Sequence, residues 1–371
     1  MLSGAKNLRS QNQKSKINFM EKLDEIAVNL LQQLIAIPSF SKEEDKTATV
    51  IEAFFKQNNI PSERKGNNVW ARNANFKSEL PTVLLNSHHD TVKPNPGYTR
   101  DPFAAVIEDG KLFGLGSNDA GGPLVSLIAA FLHFYPQQNL KYNLVIAATA
   151  EEEISGTGGI ESIWELLPKI DSAIVGEPTL SQMAIAEKGL MVLDCVAKGK
   201  SGHAAREEGV NALYLAMEDI NWFRNYQFPK ISSTLGKIKM TTTIINAGKQ
   251  HNVVPSECLY TVDVRVTDQY SLEDVLGTIR SNVKSEVVPR SMRMRSSGIA
   301  LDHPLVIAAK AMGLELYGSP TTSDQALIPV SSVKMGPGDS ARSHTADEFI
   351  HISEIVKGID TYIALLDKVI H

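Results

Sequence analysis

Cysteine is nearly missing: Cys195 and Cys258 are the only two in 371 residues. A single pair cannot build a disulfide framework, and a cysteine-rich zinc site is excluded. Any metal must then be held by histidine, aspartate and glutamate. Such low cysteine use suits a reducing compartment, and a cytoplasmic location is expected. A large charge excess is missing too. The net charge of −5 gives no reason to expect nucleic acid or an anionic membrane as a partner. No apolar run is long enough to span a bilayer. Residues 1–19 are rich in Lys, Asn, Ser and Gln and lack the apolar core of a signal peptide. They read as a polar extension, with Met20 as an alternative start.

What is present is ordinary for a globular chain, with 43% hydrophobic and 21% charged residues. The length favours two domains over one core. Leu23, Ile26, Ala27, Leu30, Leu31, Leu34 and Ile35 recur at helical spacing, and Pro38 closes that helix. Ser41 and Glu44 have capping-box spacing before a second helix through Ala48, Ile51, Phe54 and Phe55. Short buried strands are expected at Val83-Leu84-Leu85, from Leu144 to Ala150, and at Ala173-Ile174-Val175. Gly121-Gly122-Pro123 opens a helix between the first two, with Pro near its first position. Alternating strands and helices predict an α/β domain with a largely parallel sheet.

The texture changes near Lys188. Strands are expected at 190–196, 237–246 and 257–266, helices at 210–226 and 271–287, and a last strand near Met292 to Arg295. The order β-α-β-β-α-β is that of a ferredoxin-like module. From about Ala300 the α/β texture returns, closing with a helix from Ile352 to Val369. The expected organisation is one domain from 20–187 and 296–371, with 188–295 inserted into it.

The residues that carry chemistry cluster at strand ends. Glu151-Glu152-Glu153 follows the apolar run from Leu144 to Ala150. Adjacent carboxylates repel, and an unpaired buried charge is costly, so cations are expected nearby. Four further segments carry histidines or acids: Ser87-His88-His89-Asp90, Gly114 to Asp119, Gly176-Glu177-Pro178, and Gly336 to His344. In an open parallel sheet, ligands gather outside the carboxyl ends of the strands, so distant segments can meet there. Two histidines and three acids suffice for a dinuclear site with one bridging carboxylate. Mixed imidazole and carboxylate ligation suits Zn2+, with Co2+ or Mn2+ as substitutes. A spare carboxylate beside a bound water can act as general base.

Together these segments resemble the zinc-dependent aminoacylase and carboxypeptidase family of metallohydrolases, from about Glu21 onward and in the family's order. The resemblance implies a zinc-exopeptidase-like catalytic domain with an inserted lid and dimerisation domain. It implies two divalent metal ions, most simply Zn2+, one on His88, Asp119 and Glu177 and the other on Asp119, Glu153 and His344. Asp90 would orient His88, and Glu152 would be the general base. His89 and Glu151 fall on non-ligand positions. In the lid, His203 matches a histidine that stabilises the oxyanion in a partner subunit's site. Asn252 and Arg265 match substrate-contacting positions, although Arg265 also reads as a plain surface charge on a strand. His251 and His303 read as surface residues and His133 as structural. A homodimer through the lid follows from the resemblance.

Many members carry Arg where this chain has Leu115, and Met-Lys where it has Ala120-Gly121. The stretch from Gly338 to Glu348, with Thr322-Ser323-Asp324 upstream, looks most like the acetylornithine deacetylase branch. The implied reaction is hydrolysis of an N-acyl-L-amino acid, with N-acetyl-L-ornithine first. N-succinylornithine, N-acetylcitrulline and N-succinyl-diaminopimelate are rivals, as are a metallo-dipeptidase or carboxypeptidase and a non-catalytic binding protein of the same fold.

Overall fold

The computed structural model describes Met20 and residues 22–206 and 208–371. The polar extension expected at 1–19 lies outside the described residues. The chain divides into two compact units. One holds the described residues up to Ile185 with Ile299–Leu316 and Ile328–His371, and the other holds the described residues of Ala186–Gly298 with Tyr317–Leu327.

The first unit opens with helix α1 over 22–35, whose predicted stripe, half-buried Ile26 apart, is buried. Helix α2 (Asp45–Gln57) buries Ala48, Ile51 and Phe55. The expected capping box is not formed. Ser41 Oγ instead donates to Asp90 Oδ2 at 2.7 Å, and Glu44 makes no side-chain cap. A buried carboxylate is a stronger acceptor than a backbone group, and it captures the serine. Strands β1 (Ser62–Lys65), β2 (Asn68–Arg72), β3 (Thr82–His88), β4 (Val106–Glu108) and β5 (Lys111–Phe113) follow. Helix α3 (Gly122–Phe134) has Pro123 in its first turn, where a missing N–H is harmless. Then come β6 (Asn143–Thr149), a short helix α4 (Ile160–Ile163), β7 (Ser172–Gly176) and β8 (Met183–Glu187).

In the second unit run β9 (Gly189–Lys198), β10 (Gly202–His203), α5 (Ala212–Asn225), β11 (Lys239–Ala247), β12 (Val253–Val254), β13 (Glu257–Val266), α6 (Leu272–Asn282) and β14 (Glu286–Pro289). The four-stranded sheet has the order β11-β13-β9-β14, and all its pairs are antiparallel. That is the ferredoxin-like order. Two boundaries differ from expectation. Helix α6 stops at Asn282, because Val283 turns extended. The last strand is Glu286–Pro289, not 292–295. Met292-Arg293-Met294-Arg295 alternates like a half-buried strand, whereas the β-branched pair Val287-Val288 forms the real one.

After β15 (Ser297–Gly298) come α7 (Pro304–Ala311), β16 (Leu316–Ser319), β17 (Ser331–Met335), β18 (Phe349–His351) and α8 (Ile352–Ile370). The main sheet of the first unit has the order β1-β2-β6-β3-β7-β17-β8. Its central strands β6, β3, β7 and β17 are parallel, and the flanking pairs are antiparallel. Every residue of β3, β6 and β7 is buried, as expected for parallel strands covered on both faces. Helix α8 buries Ile355, Ile359, Tyr362, Leu366 and Val369 along one stripe. Its Tyr362 hydroxyl donates to the Met335 carbonyl at 2.5 Å, fixing the end of β17. Four parallel strands therefore deliver their carboxyl ends to one edge.

Candidate metal centre

The end of β3, the segment between β5 and α3, and the loops leaving β6, β7 and β17 bring His88, Asp119, Glu152, Glu153, Glu177 and His344 together. His88, the last residue of β3, is 1% exposed. Its Nδ1 lies 3.0 Å from the carbonyl oxygen of Asp90, which can only accept, so Nδ1 carries the proton. Its Nε2 is buried without a hydrogen-bond partner and faces three carboxylates. Asp119 Oδ1 is at 3.4 Å, Glu177 Oε1 at 3.8 Å and Glu152 Oε2 at 3.9 Å. On the other side, His344 Nε2 is 2.9 Å from Glu153 Oε2 and 4.0 Å from Asp119 Oδ2. Asp119 thus turns one oxygen to each imidazole.

The turn after β6 is held by carboxylates. Asp90 is fully buried, and its Oδ1 and Oδ2 accept the N–H groups of Glu152 and Glu153 at 3.0 and 3.2 Å. The N–H of Glu151 goes to Glu44 Oε1 at 3.2 Å. Glu151 sits at φ 58°, a conformation that costs an ordinary residue about 1 kcal/mol or more. Its side chain folds back onto the Gly158 N–H at 3.1 Å. Glu151 therefore braces its own loop and points away from the ligand cluster. His89 is also out of the cluster: its Nε2 meets the Asn67 carbonyl and its Nδ1 meets Thr47 Oγ1. Burial pushes its pKa down to about 4, so the ring is neutral.

The electrostatics show too little positive charge for the acids present. Burial, then the charge of Asp119, pushes Glu177 up to about 8. Glu153 is raised by burial despite its bond to His344. Burial opposes ionisation of Asp119 as well, but His88 holds its carboxyl below the usual range. The bond to Glu153 raises His344 to about 9. Two groups, His88 with Glu152 and Glu177, and His88 with Asp119 and Glu153, place their donor atoms within 4.8 Å of one another. The orphaned Nε2 of His88 and the N/O donor set fit divalent ions of the zinc type. Glu152 and Glu177 approach His88 Nε2 equally closely, at 3.9 and 3.8 Å.

Three contributors had no part in the site as read from the sequence, where Glu44 was expected only to cap a helix. Lys334, on β17, is 3% exposed and lends positive charge near Glu177. Glu44 and Glu348 bind loop amides. The signals for Glu348 were its place four residues after His344 and at the end of the stretch that resembles the deacetylase branch.

The lid candidates lie in the second unit. His203 pairs with Val253 across the β10–β12 ladder, and the Ala204 N–H donates to the Asn252 carbonyl at 2.9 Å. His203 and Asn252 are thus neighbours, both exposed. Arg265 lies apart on β13. Its Nε and Nη2 donate to Asp263 at 2.8 and 3.0 Å, and its Nη1 donates to Thr322 Oγ1 at 3.2 Å. It is a half-buried, fixed guanidinium, not a loose surface charge. His251 is exposed, and His303 caps α7 through the Leu305 N–H.

Residues 84–368 match the model of peptidase family M20/M25/M40. The chain belongs to this family. It is therefore a hydrolase of the class whose members act on amide bonds. The M20 chain is 28% identical over 364 residues to acetylornithine deacetylase of Proteus mirabilis, covering 88% of this chain and 92% of that one. It is 24% identical to a probable succinyl-diaminopimelate desuccinylase of Staphylococcus aureus, covering 90% and 95%. It is 26% identical to the [LysW]-lysine/[LysW]-ornithine hydrolase of Sulfurisphaera tokodaii, covering 91% and 94%. A dinuclear metal-binding M20 peptidase of Bacillus subtilis shares the fold, with a TM-score of 0.67 at 16% identity over 94% of this chain and 98% of that one. None of the described helices is long and apolar enough to cross a membrane.

Proposed function

We propose that this M20 chain hydrolyses the amide bond of an N-acyl-L-amino acid, with N-acetyl-L-ornithine as the first substrate to test. The observation that carries the metal part is Asp119, whose two oxygens face His88 and His344. The proposed ligand sets are His88, Asp119 and Glu177, and Asp119, Glu153 and His344, most simply for Zn2+. Two divalent ions held there would polarise the amide carbonyl and lower the pKa of a shared water from about 15.7 towards ~7. Glu152 takes the proton from the attacking water and passes it to the departing amine. Asp90 fixes the tautomer of His88 and the backbone of Glu152 and Glu153. His203 stabilises the oxyanion from a second copy of the chain. Asn252 and Arg265 contact the substrate.

The full-length similarity to an acetylornithine deacetylase supports the substrate choice. Similar coverage by a probable succinyl-diaminopimelate desuccinylase keeps N-succinyl amino acids as the second reading. The deciding experiment is a kinetic comparison of N-acetyl-L-ornithine with N-succinyl-L-ornithine, N-succinyl-diaminopimelate and a dipeptide. A kcat/KM highest for the acetyl substrate supports the first reading. A preference for a succinyl substrate or the dipeptide replaces it.

A further inference from the structure

The bridging candidate Asp119 sits in a single π-helical turn, Ser117–Gly121, whose backbone departs from helical geometry at Asp119 itself. The amides from Gly114 to Asp119 can be accounted for one by one. Gly114 N–H goes to the Glu348 carbonyl at 3.0 Å, Leu115 N–H to the Pro102 carbonyl at 2.8 Å, and Ser117 N–H to the Gly114 carbonyl at 3.1 Å. The Gly116 N–H goes to Glu348 Oε2 at 3.0 Å. The N–H groups of Asn118 and Asp119 go to Glu348 Oε1 at 2.8 and 2.9 Å. One residue, 2% exposed, therefore receives four of the six amides from Gly114 to Asp119. Glu348 lies four residues beyond His344 on the same segment, so that segment supplies both a candidate ligand and the clasp on the bridging loop.

We propose that Glu348 is a positioning residue that presents Asp119 to both metal ions. The inference rests on the dinuclear reading above. The two oxygens of one side chain accept three amides, those of Gly116, Asn118 and Asp119, so the backbone of the proposed bridging ligand is fixed from behind. Buried partners of ligands commonly contribute about 10–100-fold in metal affinity. Glutamine at this position has the same size, but its NH2 group meets the Gly116 N–H, donor against donor.

The test is zinc affinity of the full chain, measured by competition with a chromophoric chelator, for wild type, Glu348→Gln and Glu348→Asp. Wild type binding two zinc ions, with both variants about 10–100-fold weaker and the metal-free fold retained by circular dichroism, supports the proposal. Aspartate is too short to rescue. Unchanged zinc affinity with a lower metal-free Tm makes Glu348 a structural brace only and overturns it. Wild type that binds no zinc refutes the dinuclear reading and the proposal with it. Should the variants fail to fold, hydrogen exchange on wild type decides. The amides of Gly116, Asn118 and Asp119 must be protected in the metal-free chain, and rapid exchange there overturns the clasp.

Discussion

The glutamate triplet is three residues with three duties. Glu151 braces its loop, and Glu152 and Glu153 have their amides fixed by the fully buried Asp90. Replacing Glu152 with Gln preserves volume and removes the proposed base. Turnover should fall by about 10²–10⁴, with metal content by plasma emission unchanged. Replacing Glu153 with Ala should instead lower metal content, because its carboxylate faces His344 at 2.9 Å. Asp90→Asn leaves one oxygen to serve two amides and Ser41. Metal affinity should drop by about 10–100-fold, readable by chelator competition. That these histidines and acids would meet was legible in the sequence, because most of them follow apolar strands. Glu44 and Glu348 were not, because a carboxylate that binds the amides of a distant loop has no characteristic spacing.

At the scale of elements, the parallel strands were legible as continuous apolar runs, and the βαββαβ order followed from alternation. What misled was local pattern without context. Ser41 and Glu44 had cap spacing, but Asp90 is the better acceptor for the serine. Met292 to Arg295 imitated a strand that Glu286–Pro289 forms. One capping box in the second unit is formed, at Ser271 and Asp274. Ser271→Ala should destabilise that unit by about 1 kcal/mol in denaturant titration and leave kcat and KM alone. The loop carrying Asp119 should respond differently. Gly116 has φ 74°, and a Cβ there would lie 2.5 Å from Thr91 Cγ2. Gly116→Ala should therefore cost about 1 kcal/mol or more and weaken metal binding as well.

For the whole molecule, the assignment of the second unit as a lid acting in trans predicts complementation. The Glu152→Gln and His203→Ala variants should each be nearly inactive. Mixed under conditions that exchange subunits, they should regain activity, because a mixed dimer holds one site with Glu152 and a His203 from the other copy. No recovery, together with a fully active monomer in sedimentation, would remove His203 from that role. The exposed β10–β12 ladder that places His203 beside Asn252 is the structural basis for this expectation. Metal also enters at this scale. Ions that bind only the folded chain stabilise it by mass action, about 2.7 kcal/mol at a hundredfold excess over Kd.

The central claim is that Asp119 joins two metal ions between His88 and His344 in an amide hydrolase. The most direct measurement is metal content per chain after zinc reconstitution and removal of excess, paired with the amide hydrolysis rate of the same samples. The account predicts a plateau at two zinc ions per chain, with activity lost on chelation and restored with zinc. Well under one zinc ion per chain, or full activity in the chelated protein, would contradict it.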